Sequence, residues 1–401
     1  MKTSVGFQYA CQWSELSLRI LGIWPLYNFT LLKKLRVYLY TIFVVSVFYL
    51  PHTGTIITIW GDIDSMVNLL SYNVSAIVAI AKYIVLYKQR HALASIIKLM
   101  AEDWNSVKSE HHIKIMMNEA RTGRILAFIS LLYAPLIVIL HILVTTYLKP
   151  EKFFLYGSIP TIASNLMWPS YFPFNTSRKY IFETTWVCQI TATLFTSLVY
   201  GTFDTFMTVV VLHLCSQLAI VRVQLKNLYD DVNQHPYADK LVTNKLRYVI
   251  QRHQELISLG ETIEKTFNLI LLPQLICYPL IFCFQGYAML TSMAKTQTTS
   301  LQILYYLSYD TYTLYHLFIF CWIGEHLYHE STSVGYAYYE SIWYNHSITN
   351  AYSLVIVGCR TLRPLRITAG KFANFSIHLF VAILKTSMGY LSMLRAVESR
   401  G

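Results

Sequence analysis

Residues 37–59 read VYLYTIFVVSVFYLPHTGTIITI, a run without a charged side chain that starts directly behind Lys33, Lys34 and Arg36. At a rise of 1.5 Å per residue, about 20 such residues cross a hydrocarbon layer of about 30 Å. The run begins too late in the chain, and is too long, to be a cleaved secretory signal. It is read as a first membrane span, with the basic residues before it marking the side on which the chain starts.

Comparable runs recur along the chain. Spans are expected at 37–59, 65–87, 124–147, 186–213, 267–291, 301–323 and 372–397. Composition agrees: 55% of the 401 residues are hydrophobic and 13% are charged, about half the charged share of a soluble domain. Mean hydropathy is +0.41. The expected fold is all-α, a polytopic membrane protein of seven transmembrane helices forming one domain over 1–401. Pro51, Pro135, Pro273 and Pro279 fall inside spans, which neighbouring helices tolerate by re-satisfying the freed carbonyls.

Orientation follows from Lys and Arg between spans. About 23 lie in 1–36, 88–124, 214–266 and 324–371, against about seven on the other side. The N-terminus is therefore expected in the cytoplasm and the C-terminus outside, the reverse of a G-protein-coupled receptor. The sequon Asn175-Thr176-Ser177 then lies in an extracellular loop, and Asn175 is the expected glycosylation site. The net charge of +11 is spread over loops of one side and forms no nucleic-acid-reading motif, so a nucleic-acid partner is not expected.

Leu218, Val221, Leu225 and Leu228 continue the fourth span at helical spacing, and Leu246, Val249, Ile250, His253, Leu256 and Ile257 mark another apolar face. Such cytoplasmic stripes need a cover. A platform shared with neighbouring subunits is the preferred expectation, a helical hairpin private to the chain the alternative.

No nucleotide fingerprint, P-loop or nucleophile elbow is present, and no enzyme activity or cofactor is expected. The seven cysteines have neither disulfide-framework nor zinc spacing and are expected as small residues in helices. His326 and His329 within Glu325–Glu330 lack the zincin order and are read as a structural helix end. Intramembrane ionisable residues are Lys82, Asp204, Asp310 and Lys385; such groups face a bundle interior or a watery cavity. Lys82, near a cytoplasmic end, is expected to snorkel. Tyr305, Tyr309 and Tyr312 recur at i, i+4, i+7 along the sixth span. That face offers rings with polar tips, suited to packing or to an apolar molecule carrying one oxygen.

The C-terminal third carries a resemblance. Phe320-Cys321-Trp322-Ile323-Gly324-Glu325, then Glu330-Ser331, Tyr339 and Trp343-Tyr344, and the stretch Pro364 to Phe372 continuing through Phe375-Ser376, Leu384 to Ser387 and Tyr390, resemble insect odorant receptors. So do His253 to Ile257 and Glu264-Lys265-Thr266-Phe267. The style is closest to the hymenopteran expansion. Motif-level likeness begins at about 246 and is weak before it.

The resemblance implies the odorant-binding subunit of a ligand-gated, non-selective cation channel, a heterotetramer with the olfactory co-receptor in the plasma membrane of olfactory neurons. Helices within 37–323 would bind ligand, 214–266 and 324–371 would form a cytoplasmic anchor, and 372–397 would line the pore. Aligned through Tyr390, the hydrophobic gate falls on Met393 and Val397, one turn apart, where an apolar ring closes a pore by dewetting. Ala396 stands where the co-receptor carries a polar residue, which suits a tuning subunit. Arg395 near the pore mouth argues against cation passage through a homomeric pore. By position, the pocket maps to Leu69, Tyr72 and Asn73; Ile137, His141 and Val144; Thr191 and Phe195; and Tyr305, Tyr309 and Tyr312. A gustatory-type channel is the near alternative, though its last-span signature is replaced by Ala369-Gly370-Lys371-Phe372. A secondary transporter is the distant alternative.

Overall fold

The computed structural model describes residues 4–26, 31–61, 63–147, 162–163, 166–176, 178–229, 238–294, 299–341, 343–345 and 348–398. Helices dominate. Helix α1 (Val5–Ile20) is capped by Ser4, whose side chain accepts from the Phe7 amide, and buries Phe7, Cys11, Ser14 and Leu18 at helical spacing. It ends where Gly22 takes φ +76°, a conformation glycine adopts without steric cost. A Cβ on Gly6 would lie 2.4 Å from the Trp104 ring, so this glycine lets α1 lie directly on the helix that carries Trp104.

The first span is built from α2 (Leu31–Val44), a π-helical turn at Val45–Tyr49 and α3 (Leu50–Thr58). The widened turn stands immediately before Pro51, whose missing N–H would otherwise leave a carbonyl of the preceding turn unpaired. Then follow α4 (Ile63–Lys88), α5 (Arg90–Ser106), α6 (Glu110–Tyr147), α7 (Lys179–Lys226), α8 (Ala238–Ala294), α9 (Ser300–Glu340), α10 (Ile348–Thr361) and α11 (Ile377–Glu398). Six of the described spans are long and apolar enough to cross a bilayer by length and composition. Helix α9, rich in tyrosine, is the seventh by position.

Helices α7, α8 and α9 run for 48, 57 and 41 residues, far beyond the roughly 20 a membrane requires. Their surplus forms the base of the bundle with α1, α5 and α10. There, Asp103 of α5 takes Arg252 of α8 at 2.5 Å and His213 of α7 at 2.9 Å. The stripes of Leu218, Val221, Leu225 and Leu228, and of Leu246, Val249, His253 and Leu256, are buried within this single chain. Their burial thus needs no neighbour, as the private-hairpin alternative held. What stays uncovered at the base is a different surface, including Tyr352, Ile356 and Leu362 on and after α10.

The segment that carries the C-terminal motif is a small antiparallel hairpin, β3 (Thr368–Ala369) on β4 (Ala373–Asn374); a second hairpin pairs β1 (Ile162–Ala163) with β2 (Ser170–Tyr171). Gly370 and Lys371 turn β3 into β4 with φ of +57° and +65°. Glu264 of α8 accepts from the amide and the hydroxyl of Thr368, Ser331 of α9 accepts from the Leu365 amide at 2.9 Å, and Gly370 N–H donates to the Asn268 carbonyl at 2.9 Å. A Cβ on Gly324 would lie 2.4 Å from the Phe375 carbonyl oxygen. Three separated motifs of the sequence therefore meet at one junction, from which α11 departs.

Among the described residues the cysteines are all free, Cys11 buried and Cys359 exposed, and no group of three metal-ligating side chains gathers. His326 instead pairs with Glu119 at 3.2 Å, and Glu330 lies 3.5 Å from Arg222. The Glu119 carboxylate raises the His326 pKa above its ordinary value against the opposing effect of burial.

Candidate ligand cavity

The helical phase of α4, α6, α7 and α9 turns one face of each toward a common space away from the base. A cavity of about 120 Å³ lies there. Six of the mapped positions, Tyr72, Ile137, His141, Tyr305, Tyr309 and Tyr312, line it. The tyrosines are held by hydroxyl contacts: Tyr305 Oη donates to Tyr72 Oη at 2.8 Å, and Tyr309 Oη lies 2.8 Å from Ser75 Oγ. The phenols of Tyr72, Tyr305 and Tyr309 thus have polar partners and still offer their rings to the cavity, whereas the buried Tyr312 hydroxyl has no hydrogen-bond partner among the described residues.

The other mapped residues lie outside the lining. Leu69 and Val144 are buried in packing. Asn73 Nδ2 donates to Thr53 Oγ1 at 3.0 Å and so ties α4 to α3. Thr191 is exposed, its hydroxyl returned to the Val187 carbonyl. Phe195 stacks on Tyr40 at 4.7 Å and meets Tyr83 edge-on, forming part of a smaller neighbouring void.

The mapping did not include the roof. Leu166, Met167 and Trp168, from the long segment between α6 and α7, fold back into the bundle and are buried. Gln189 of α7 is wholly buried and fixes this segment, accepting from the Trp168 amide at 3.2 Å and donating to Ser170 Oγ at 2.9 Å. Trp168 Nε1 donates to Thr193 Oγ1 at 3.0 Å, and its ring stacks on His141 at 3.9 Å. His141 Nε2 lies 3.2 Å from the Met167 carbonyl, so His141 both lines the cavity and holds its roof. In sequence the roof is one of several short apolar runs, Leu166-Met167-Trp168, in a loop without a helical repeat. Phe48, Ser75, Thr196 and Tyr200 were likewise not anticipated.

Beneath the cavity sits a buried ion cluster. Lys82 Nζ is 2.5 Å from Asp204 Oδ1, and both side chains are at most 2% exposed. Lys82 therefore does not snorkel; a partner 122 residues away in the chain balances it inside the bundle. Its ammonium lies 3.4 Å from the centre of the Tyr200 ring, a cavity wall. A larger cavity of about 430 Å³ lies at the base between α5, α6, α7 and α8, lined by charged and amide groups such as Asp103, Gln217 and Arg252. Its polar lining suits water; the smaller cavity has the apolar walls and few convergent polar groups of a small-molecule site.

Fold and cavity together define a polytopic helical membrane protein with an aromatic-lined cavity between its helices. The family model described as 7tm Odorant receptor matches residues 62–388, and the chain belongs to that family. Odorant receptor 13a of Drosophila melanogaster is 25% identical over 244 residues, 56% of this chain and 57% of that one. The odorant receptor coreceptor of Aedes aegypti is 26% identical over 154 residues, 38% of this chain and 31% of that one. The chain thus spans little more than half, or less, of these relatives. The solved olfactory receptor OR5 from Machilis hrabei superposes with a TM-score of 0.81 at 12% identity, covering 96% of this chain and 99% of that one. The same receptor in complex with eugenol gives 0.78 at 14% identity, covering 97% and 98%. At these identities the likeness establishes the shared fold.

Proposed function

We propose that this chain is the odorant-binding subunit of a ligand-gated, non-selective cation channel, assembled with the olfactory co-receptor in the plasma membrane of olfactory neurons. The observation that carries the reading is the roofed, tyrosine-walled cavity. Its walls are mostly apolar, so affinity comes from burial, at about 25 cal/mol per Å² of apolar surface, with few directional bonds.

Helix α11 supports the channel part. Apart from Ile383 and Ser387, most of its residues are uncovered in the single chain, Met388 and Met393 among them. A helix so little covered leaves its faces free for lipid, for neighbouring subunits and for a pore, as a pore-lining helix requires. Met393 and Val397 serve as the gate in this reading, with Val397 lying beyond the described side chains. The N-terminus is cytoplasmic and the exposed Asn175 extracellular and glycosylated.

Expression with the co-receptor should give odorant-evoked cation currents. Silence toward a broad volatile panel, with the protein at the surface, would overturn the proposal. Orientation is read separately, by sugar at Asn175 and by labelling of the exposed Cys359 with an impermeant maleimide from the cytoplasmic face alone. Labelling of Cys359 from outside would reverse the assignment.

A further inference from the structure

Beyond the sixth span, α9 turns two faces to two sets of neighbours. Gly324 and Ser331 meet the C-terminal hairpin segment: a Cβ on Gly324 would lie 2.4 Å from the Phe375 carbonyl oxygen, and Ser331 Oγ accepts from the Leu365 amide at 2.9 Å. At about 100° per residue, Ser331 lies about 20° round the helix from Gly324, whereas His326 and Glu330 lie about 200° and 240° round. That opposite side meets α6 and α7. His326 Nε2 is 3.2 Å from Glu119 Oε1 of α6, and Glu330 Oε2 is 3.5 Å from Arg222 Nη1 of α7. The hairpin thus presses on one side of α9 and an ionic clasp holds the other.

The helices joined by the clasp also wall the cavity: α6 carries Ile137 and His141, α7 Thr196 and Tyr200, and α9 Tyr305, Tyr309 and Tyr312. The charge of the clasp is unfinished, because the carboxylates of Glu119 and Glu330 face the single guanidinium of Arg222. An ionised carboxylate only accepts, so His326 Nε2 donates to Glu119, and Nδ1 is the nitrogen left to take up a proton. The His326 side chain is 23% exposed, which lets that proton come from the cytoplasm. The imidazolium then balances the second carboxylate. Without it, Glu330, 8% exposed, stands in a cluster of excess negative charge. The buried Cys215 of α7 is a further titratable group that interacts with both carboxylates, and Trp322 stacks on the imidazole at 5.6 Å. The hydrogen bond to Glu119 raises the His326 pKa above 6.5 against the effect of burial, with Glu330 adding to the rise and Arg222 opposing it. The joined clasp therefore holds the proton more tightly than separated helices would, and loses that stabilisation as pH rises through the raised value.

We propose that Glu119, His326, Glu330 and Arg222 form a proton-sensitive clasp that sets how firmly α9 backs the anchor of α11, so that cytoplasmic acidification makes the channel harder to open. A pore closed by an apolar ring widens only when the helices carrying the ring move, and α11 departs from the segment that α9 supports. The proposal rests on the channel reading given above.

The test uses inside-out patches from cells expressing this chain with the co-receptor, with odorant in the pipette and the cytoplasmic bath at about pH 6.4 or about pH 7.8. The half-activating odorant concentration should be about two- to fivefold higher at the acid pH, the worth of one partly exposed ion pair. Glu119→Gln keeps an acceptor for the imidazole and removes the charge, and His326→Gln removes the proton site; each should flatten the dependence. Each reading is a ratio within one variant, so reduced expression cancels, and any response of the co-receptor itself stays in both variants. A shift that survives in both variants, or acid that sensitises wild type, would overturn the proposal. Hydrogen exchange on the purified chain reads the clasp without a current. The amides of Leu365 and Phe375, bonded to Ser331 Oγ and to the Ile367 carbonyl at 2.9 Å, should exchange more slowly in wild type than in Glu119→Gln at the acid pH, and alike at the other. Equal exchange at both pH values would overturn the proposal. Protection that follows pH with no odorant current at all would instead overturn the channel reading and keep the clasp.

Discussion

Replacing Lys82 by methionine keeps the length and apolar stem of the side chain and removes its charge. Asp204 is then left 1% exposed, without the ammonium that stood 2.5 Å away. Removing one partner of a buried pair costs about 3–5 kcal/mol, because the remaining charge is neither hydrated nor balanced. The double variant Lys82→Met with Asp204→Leu should recover most of that loss. Two apolar side chains of similar volume replace two desolvated ions, an exchange that is often neutral or stabilising. The assay is thermal unfolding of the detergent-solubilised protein, followed by the surviving monodisperse fraction. The order expected is wild type and double variant close together, the single variant well below. A single variant as stable as wild type would mean that water, or His316 at 2.7 Å, compensates Asp204. A double variant as poor as the single one would mean that shape, not charge, sets the cost.

Tyr309→Ala removes a cavity wall and its contact with Ser75, and should change odorant potency about tenfold or more without altering ion permeability; dose–response curves and reversal potentials report the two separately. Met393→Ala or Val397→Ala should raise unliganded leak and leave the rank order of odorants intact, as whole-cell current without odorant would show. Gly324→Ala places a methyl group 2.4 Å from the Phe375 carbonyl and should cost about 1–3 kcal/mol of stability through forced overpacking, read as a lower melting temperature. The His326–Glu119 pair gives a pH dependence. Its histidine pKa is raised in the folded chain by the carboxylate, so the stabilisation is fully present below the ordinary value of 6.5 and is lost as pH rises through the raised one. Wild type should therefore melt lower at about pH 8 than at about pH 6 by more than Glu119→Gln does.

The spans were legible because a bilayer imposes one length and one composition on every crossing helix. The tyrosine face of α9 was legible for the same local reason, its helical repeat. Lys82 was not. Its position near a span end suggested escape to water, and only the fold brings Asp204 to it from another helix. The pocket positions on α4, α6 and α9 lay partly on the right face, whereas Thr191 fell on the exposed side of α7 because one residue along a helix turns the side chain by about 100°. The roof escaped notice since a loop residue such as Trp168 gives no periodic signal. The motif around Pro364–Phe372 identified a family without revealing why those residues occur together; Glu264 and Ser331 holding Thr368 and Leu365 supply the reason.

That junction makes α11 a lever. Its 22 residues span about 33 Å. Its near end is anchored through β3 and β4, and along its length one side rests on α8, where Leu391 approaches Gly286 to within 3.2 Å of a Cβ position. Met393 lies about 24 Å from the pivot at Ile377, so a tilt of only about 5° carries it roughly 2 Å sideways. A modest rearrangement of α8 is thus geometrically amplified at the end farthest from the fulcrum, and no hydrogen bond within the hairpin has to break for it to happen.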